Sequence, residues 1–280
     1  MPKKEIQSIY FKRKKIFHFT RKDLCIPYGL FMCLFVVFPI LLIFYYAFTD
    51  RVTGAFTFQN FVTVFKENSN FQVIGMSLLV GALNTIFCLI IGYPLAYLLS
   101  NSKFNKNKIL VYIFVMPMWI NFVIRTIATR DMLSFIGITA ANHPLLGTII
   151  GMVYNYLPFA ILPLYSTMLK LDKSQIEAAS DLGASPFFVF LKTIIPMSMP
   201  GIISAVLMTF MPTMSSYVIA DKLGGGKTTL IGNLIAFQFG SGYNYNVGSV
   251  LAIIMLVMIG ISLLLTKNSK KESNVRGELW

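Results

Sequence analysis

Gly224-Gly225-Gly226-Lys227-Thr228 carries the glycines, lysine and threonine with which a phosphate loop cradles a nucleotide. Such a loop needs its first glycine at position 221, which here is Asp221, so the segment reads instead as a glycine turn. Of the two histidines, His18 lies in a basic tail and His143 in a connection between apolar runs, and neither sits in a metal or acid–base cluster. Cys25, Cys33 and Cys88 fall inside apolar runs without ligand spacing, which predicts buried packing rather than disulfides. His-Glu-x-x-His, Gly-x-Ser-x-Gly and paired intramembrane carboxylates are all missing from the sequence. The chain is therefore expected to be no enzyme and to hold no metal and no cofactor.

What remains is chemistry of recognition. Asp221 follows a long apolar run closely, and a carboxylate at membrane depth is costly enough to mark a functional position. It would supply counter-charge to a cation; a loop pair with Lys222 or Lys227 is the plainer alternative. Trp119, Tyr156 and Tyr217 offer aromatic faces, each worth about 0.5–2 kcal/mol to a cation. Trp119 and Asn121 fall mid-run, where a polar pair faces protein or water, although the ring could equally pack. Arg125, further along the same run, would repel a cation, and is expected to snorkel or to pair with Asp131.

A different kind of signal occupies residues 177–196, EAASDLGASPFFVFLKTIIP. Ser174 and Glu177 have capping-box spacing, so a helix is predicted from Ser174 to about Leu182. Gly183 can take the left-handed conformation that stops it. Ser185-Pro186 then starts a second helix, an N-cap followed by proline at the first helical position. A short helix, a tight turn and a second helix make a rigid knob suited to a groove on another protein.

The elements that hold these residues are dictated by composition. With 56% hydrophobic and 12% charged residues and a mean hydropathy of +0.69, this is no ordinary soluble domain, and the bilayer must solvate much of it. Six apolar stretches are long enough for the about 20 residues a crossing needs: 25–48, 73–99, 109–127, 147–169, 193–217 and 247–266. The first is too long for a signal-peptide core, and Pro39 and Tyr45-Tyr46 do not resemble a cleavage site. Prolines punctuate the spans, and Pro158 and Pro212 are candidates for shaping helices that tilt. Segment 218–246, rich in Gly and Tyr, is the largest external connection and could re-enter the membrane or meet a partner.

Charge fixes the expected orientation. The net charge of +13 does not mark a nucleic-acid binder, because the basic residues are not spread over a surface. Lys3, Lys4, Lys12, Arg13, Lys14, Lys15, Arg21 and Lys22 all precede the first span. With the N-terminus cytoplasmic, Lys103, Lys106, Lys108, Lys170, Lys173, Lys192, Lys267, Lys270, Lys271 and Arg276 join them. Only Arg51, Lys66, Arg125, Arg130, Lys222 and Lys227 remain for the other side. That asymmetry follows the positive-inside rule and places both termini and the Glu177 knob in the cytoplasm. The expected division is a basic tail (1–24), a membrane domain (25–266, with the knob loop at about 170–192) and a C-terminal tail (267–280).

Glu177-Ala178-Ala179, three residues, Gly183-Ala184 and an apolar helix ending Ile194-Ile195-Pro196 resembles the EAA loop of ABC-importer permeases. Flanking segments are similar to the spermidine/putrescine permeases, and in particular to the first of their two permease subunits. They are Met116-Pro117-Met118-Trp119, Leu157-Pro158-Phe159, Pro163-Leu164-Tyr165, Lys170-Leu171-Asp172-Lys173, Met199-Pro200-Gly201-Ile202 and Leu230-Ile231-Gly232-Asn233. The resemblance covers most of the chain. It implies an all-α, six-span, type I importer permease of the MetI-like fold in a bacterial plasma membrane. ATPase coupling would run through Glu177, Ala178, Ala179, Asp181, Gly183, Ala184 and Ser185. The implied partners are a second, homologous permease, a cytoplasmic ATPase dimer carrying ATP and Mg, an extracytoplasmic binding protein and a polyamine cargo. A permease for another small solute, or a secondary transporter needing no ATPase, are the alternatives; the second has no reason to carry such a knob and should show intramembrane acids or inverted repeats.

Overall fold

In hydrocarbon every backbone N–H and C=O must find its partner within the protein. The computed structural model meets this with helices; among the described residues the one extended pairing is an isolated bridge between Thr49 and Phe56. It describes the backbone of residues 25–101 and 109–277, and side chains as far as 264. The basic tail with His18, the cluster Lys103, Lys106 and Lys108, and the side chains of Lys267, Lys270, Lys271 and Arg276 lie outside the described residues. Residues up to Tyr45 form one compact unit and those from Tyr46 onward another. In the first unit and across its boundary, helix α1 (Cys25–Ala47) contains a π-turn at Cys33–Val37. Cys25 and Cys33 on it are exposed, contrary to the expected burial, whereas Cys88 is buried.

The second unit begins with a short helix, α2 (Gln59–Lys66), followed by the long α3 (Asn68–Ser100). Helix α4 (Ile109–Trp119) and α5 (Phe122–Phe135) meet at 96°. Next come the long α6 (Pro144–Met168), with Pro158 and Pro163 inside it, and the small α7 (Lys173–Asp181). Helix α8 (Pro186–Met197) and α9 (Met199–Ser215) meet at 68°. The chain closes with α10 (Tyr217–Gly224), α11 (Ile231–Phe239) and α12 (Tyr245–Gly277), whose apolar part is Tyr245–Leu264. Among the described residues, four helices are long and apolar enough to cross a membrane, and up to six spans result if each bent pair counts as one.

The two bends correct the sequence reading of 109–127 and 193–217 as single helices. At the first, Pro117 sits in a 3-10 turn, Ile120 is extended, and Asn121 caps a new helix by accepting from Val123 N (2.9 Å) and Ile124 N (3.3 Å). At the second, Pro196 and Pro200 bracket Ser198, whose Oγ donates to Ile195 O (3.0 Å) and shares a 2.7 Å hydrogen bond with Tyr93 OH on α3. Prolines remove helix hydrogen bonds, and short polar side chains re-satisfy the opened turns.

Helices α3, α6 and α9 make the most extensive mutual contacts in the molecule. Val80, Cys88, Tyr93 and Ala96 of α3 pack with Met152, Tyr156, Ala160 and Leu164 of α6 and Ala205 of α9. Small residues bring the backbones close: the Gly92 position faces Ala160 Cβ, and Gly201 faces Thr167 and the Pro163 carbonyl. Buried polar groups join the same helices. Asn84 Nδ2 donates to Thr213 Oγ1 (2.7 Å), and Thr209 Oγ1 to Thr85 Oγ1 (3.3 Å). Close packing and interhelical hydrogen bonds, at roughly 0.6 kcal/mol each, are what lipid leaves to hold a bundle together.

Candidate functional site

The knob forms where the sequence places it, with one change at its start. Asp172, not Ser174, caps α7: its Oδ1 accepts from Ser174 N (3.0 Å) and from Ser174 Oγ (2.8 Å). Those two bonds favour the charged carboxylate and hold the Asp172 acid below its ordinary range, the hydroxyl contributing most. A cap with a depressed native pKa stabilises above the ordinary carboxylate value and fades only as pH falls through the lowered one, so the knob keeps its cap throughout the neutral range.

Leu182 and Gly183 end α7, Gly183 at φ +85°, the left-handed geometry its sequence position requires. Ser185 then caps α8, its Oγ accepting from Phe188 N (3.3 Å), with Pro186 next, a cap of about 1 kcal/mol. Glu177, Ala178, Asp181, Leu182 and Gly183 are exposed, and Ala179 and Ala184 partly so. The tip is more apolar than a solvated loop has any need to be. Leu182 is 89% exposed, Phe187 74% and Phe188 53%. Exposed apolar side chains of that kind mark a surface that meets another protein or the membrane.

The second candidate region is the break between α4 and α5. Trp119 projects from it, 84% exposed, while Asn121 is occupied as the cap of α5. Tyr217, at the start of α10, is also exposed. Tyr156 is not: it is buried in the α3–α6–α9 core, its hydroxyl donating to Pro212 O (3.3 Å). Asp221 is exposed and pairs with Lys222 at 3.0 Å. The structure thus leaves the rings of Trp119 and Tyr217 open, and engages Tyr156, Asn121 and Asp221 with protein partners.

Arg125 departs most from expectation. It neither snorkels nor pairs with Asp131, which binds Arg130 instead at 2.8 Å. Arg125 is buried, 6% exposed, with Nε donating to Asn155 Oδ1 (2.7 Å) and Nη1 to Pro117 O (2.8 Å), over the Tyr154 ring at 5.6 Å. It therefore ties both sides of the α4–α5 break to α6 using neutral acceptors. The pairing with Asn155, thirty residues away, had no local sequence signal. The local signal that could have shown the helix stop and restart is Pro117 followed four residues later by the N-cap residue Asn121. The glycine-rich segment is a turn: Gly225 and Gly226 have φ +55° and +78°, and Lys227 Nζ donates to Ala141 O (3.0 Å).

Residues 24–268 match the family described as the inner membrane component of binding-protein-dependent transport systems. The chain belongs to that family. It is 36% identical to the spermidine/putrescine transport system permease protein PotB of Haemophilus influenzae, covering 88% of this chain and 92% of that one. To the protein of the same name from Escherichia coli it is 34% identical, covering 89% and 97%. Among solved structures, a bacterial alginate ABC transporter bound to its pentasaccharide-loaded periplasmic protein superposes with a TM-score of 0.68 at 16% identity, covering 90% of this chain and 93% of that one. The MetNI methionine ABC transporter gives 0.59 at 18%, covering 72% and 95%. The fold is that of ABC-importer permeases, and the family is that of an inner-membrane transport component.

Proposed function

We propose that this chain is the first permease subunit of a polyamine importer, forming half of a pathway for spermidine or putrescine. Coupling rests on one observation: the capped, glycine-stopped knob presents Leu182, Phe187 and Phe188 bare. A cytoplasmic ATPase dimer, holding ATP and Mg, would grip Glu177, Ala178, Ala179, Asp181, Gly183, Ala184 and Ser185 on this chain and the equivalent loop of a second, homologous permease. Closure of the ATPases would draw the loops together and turn the spans outward, where an extracytoplasmic binding protein delivers cargo. The cargo reading is supported by 34–36% identity, along nearly the whole length, to permeases named for spermidine and putrescine. Alginate and methionine importers share only the fold and leave cargo open.

In this reading the termini and knob are cytoplasmic, with segments 1–24 and 267–280 as tails flanking a membrane domain at 25–266. Trp119 and Tyr217 would offer ring faces to the cargo, Asp221 would supply counter-charge at the outer mouth by exchanging its 3.0 Å pair with Lys222 for the cargo cation, and Asn121 and Tyr156 would hold the wall from behind. Cells lacking their own polyamine importer, given the complete transporter, should accumulate labelled spermidine, with excess putrescine competing and methionine not. Competition by an unrelated solute alone would reassign the cargo. In the same assay Asp221→Asn is expected to slow spermidine uptake about two- to fivefold, the scale of one exposed ion pair, at unchanged transporter yield. Unchanged uptake would remove Asp221 from the path.

A further inference from the structure

Helix α2 packs at the level where an apolar helix begins. Its Val64 is fully packed against Val247, Val250 and Leu251, the first turns of the apolar segment of α12 that begins at Tyr245. At 1.5 Å per residue those partners sit roughly 3–9 Å inside the start of that helix. Asn side chains fix the arrangement. Asn60 Nδ2 donates to Ala47 O (3.0 Å) and Thr49 O (2.8 Å), and Asn246 Nδ2 to Tyr46 O (2.9 Å) and Thr49 O (2.6 Å). Asn70 Nδ2, in turn, holds Val64 O at 2.9 Å. The helix cannot swing off the bundle into water without breaking these bonds.

Its remaining surface is divided lengthwise. Val62 and Phe65 on α2, and Phe58 at its N-cap position, recur at intervals of four and three along one side, and all three are exposed. Gln59, Thr63 and Lys66 form the adjoining stripe, also exposed and wholly polar. Phe56 and Phe71 extend the apolar side, Phe56 edge-on to Phe58 with ring centroids 5.2 Å apart and Phe71 beside Phe65 at 5.8 Å. One face packed, one apolar and one polar is the arrangement of a helix lying in the plane of a membrane surface, typically about 5–10 Å into the headgroup–acyl boundary.

We infer that α2 is an interfacial anchor, its Phe58–Val62–Phe65 stripe resting on phospholipid acyl chains and its Gln59–Thr63–Lys66 stripe facing headgroups and water. The occupant is lipid rather than protein because the depth set by Val64 puts the stripe at the acyl boundary. The stripe itself offers hydrocarbon and rings with no polar group for a protein to read. The anchor would hold the bundle at a constant depth while other helices tilt.

Site-directed nitroxides test this without reference to transport. Single cysteines are placed at positions 58, 62, 65, 59, 63 and 66 in a chain with Cys25, Cys33 and Cys88 replaced by Ala. Each labelled chain is reconstituted with its partner subunits in phosphatidylcholine/phosphatidylglycerol vesicles. Labels at 58, 62 and 65 should relax chiefly by collision with membrane-dissolved oxygen, and those at 59, 63 and 66 chiefly with a water-soluble nickel chelate. Nickel access at all six positions would put the helix in water and overturn the inference. Protection of 58, 62 and 65 from both agents would overturn it too, by showing that a protein covers the stripe.

Discussion

Gly183→Val is expected to cut uptake at least tenfold while the chain still reaches the membrane in normal amounts, and Gly183→Asn to keep most of it. Space is not the reason, since nothing lies within 4 Å of the Cβ that a side chain would add. Conformation is. Gly183 holds φ +85°, where a β-branched residue is a steric outlier, a left-handed residue costs about 1–2 kcal/mol, and asparagine is the tolerated exception. Valine would pull the turn toward negative φ and re-aim Leu182 and Phe187, the exposed tip, relative to α8. Membrane insertion is untouched because the turn buries nothing. Labelled-spermidine uptake beside an immunoblot of the membrane fraction separates the two effects; equal uptake by the valine and asparagine variants would show that knob geometry is irrelevant.

Gly232→Ala is expected to act on the bundle itself. An added Cβ would fall on the backbone of Ser215, against its carbonyl oxygen and 2.8 Å from its carbonyl carbon. Neither helix can retreat easily. Ile231 N donates to Ser77 Oγ at 2.7 Å, and Asn233 Nδ2 to Tyr217 O at 2.9 Å, pinning α11 on both sides of the glycine. Overpacking of this kind costs about 1–3 kcal/mol. The variant should unfold at a lower temperature in detergent and be recovered in lower yield. Gly75→Ala is the control, a helical glycine with nothing within 4 Å. It should be neutral or slightly stabilising, alanine being the better helix former by about 1 kcal/mol. Equal melting of the two variants would contradict the close approach.

Local chemistry was legible in the sequence wherever it depended on neighbours along the chain. Gly183 as a left-handed stop, Ser185-Pro186 as a helix start and the turn nature of Gly224–Lys227 all follow from residue type and spacing, and each has its expected backbone. The first cap was misplaced because two acceptors compete at adjacent positions. Asp172 offers a charged oxygen to the Ser174 hydroxyl, which then has no call to cap anything itself. Apolar length located the spans but not their bends, since hydropathy does not register Asn121 restarting a helix or Ser198 bridging two prolines. What stayed hidden is what tertiary structure alone brings together. Arg125 on Asn155 and Pro117 O, Tyr156 on Pro212 O and Val64 on α12 join residues far apart in sequence, where no periodicity records the pairing.

The most direct measurement is a cysteine crosslink from the knob. With Phe187→Cys in the assembled transporter and a cysteine scan across the upper surface of the ATPase, a short bifunctional reagent should join the two chains in high yield, and the yield should change between nucleotide-free and ATP-trapped states. A knob that reacts with no position on the ATPase, in a preparation that still imports spermidine, would contradict coupling through this loop.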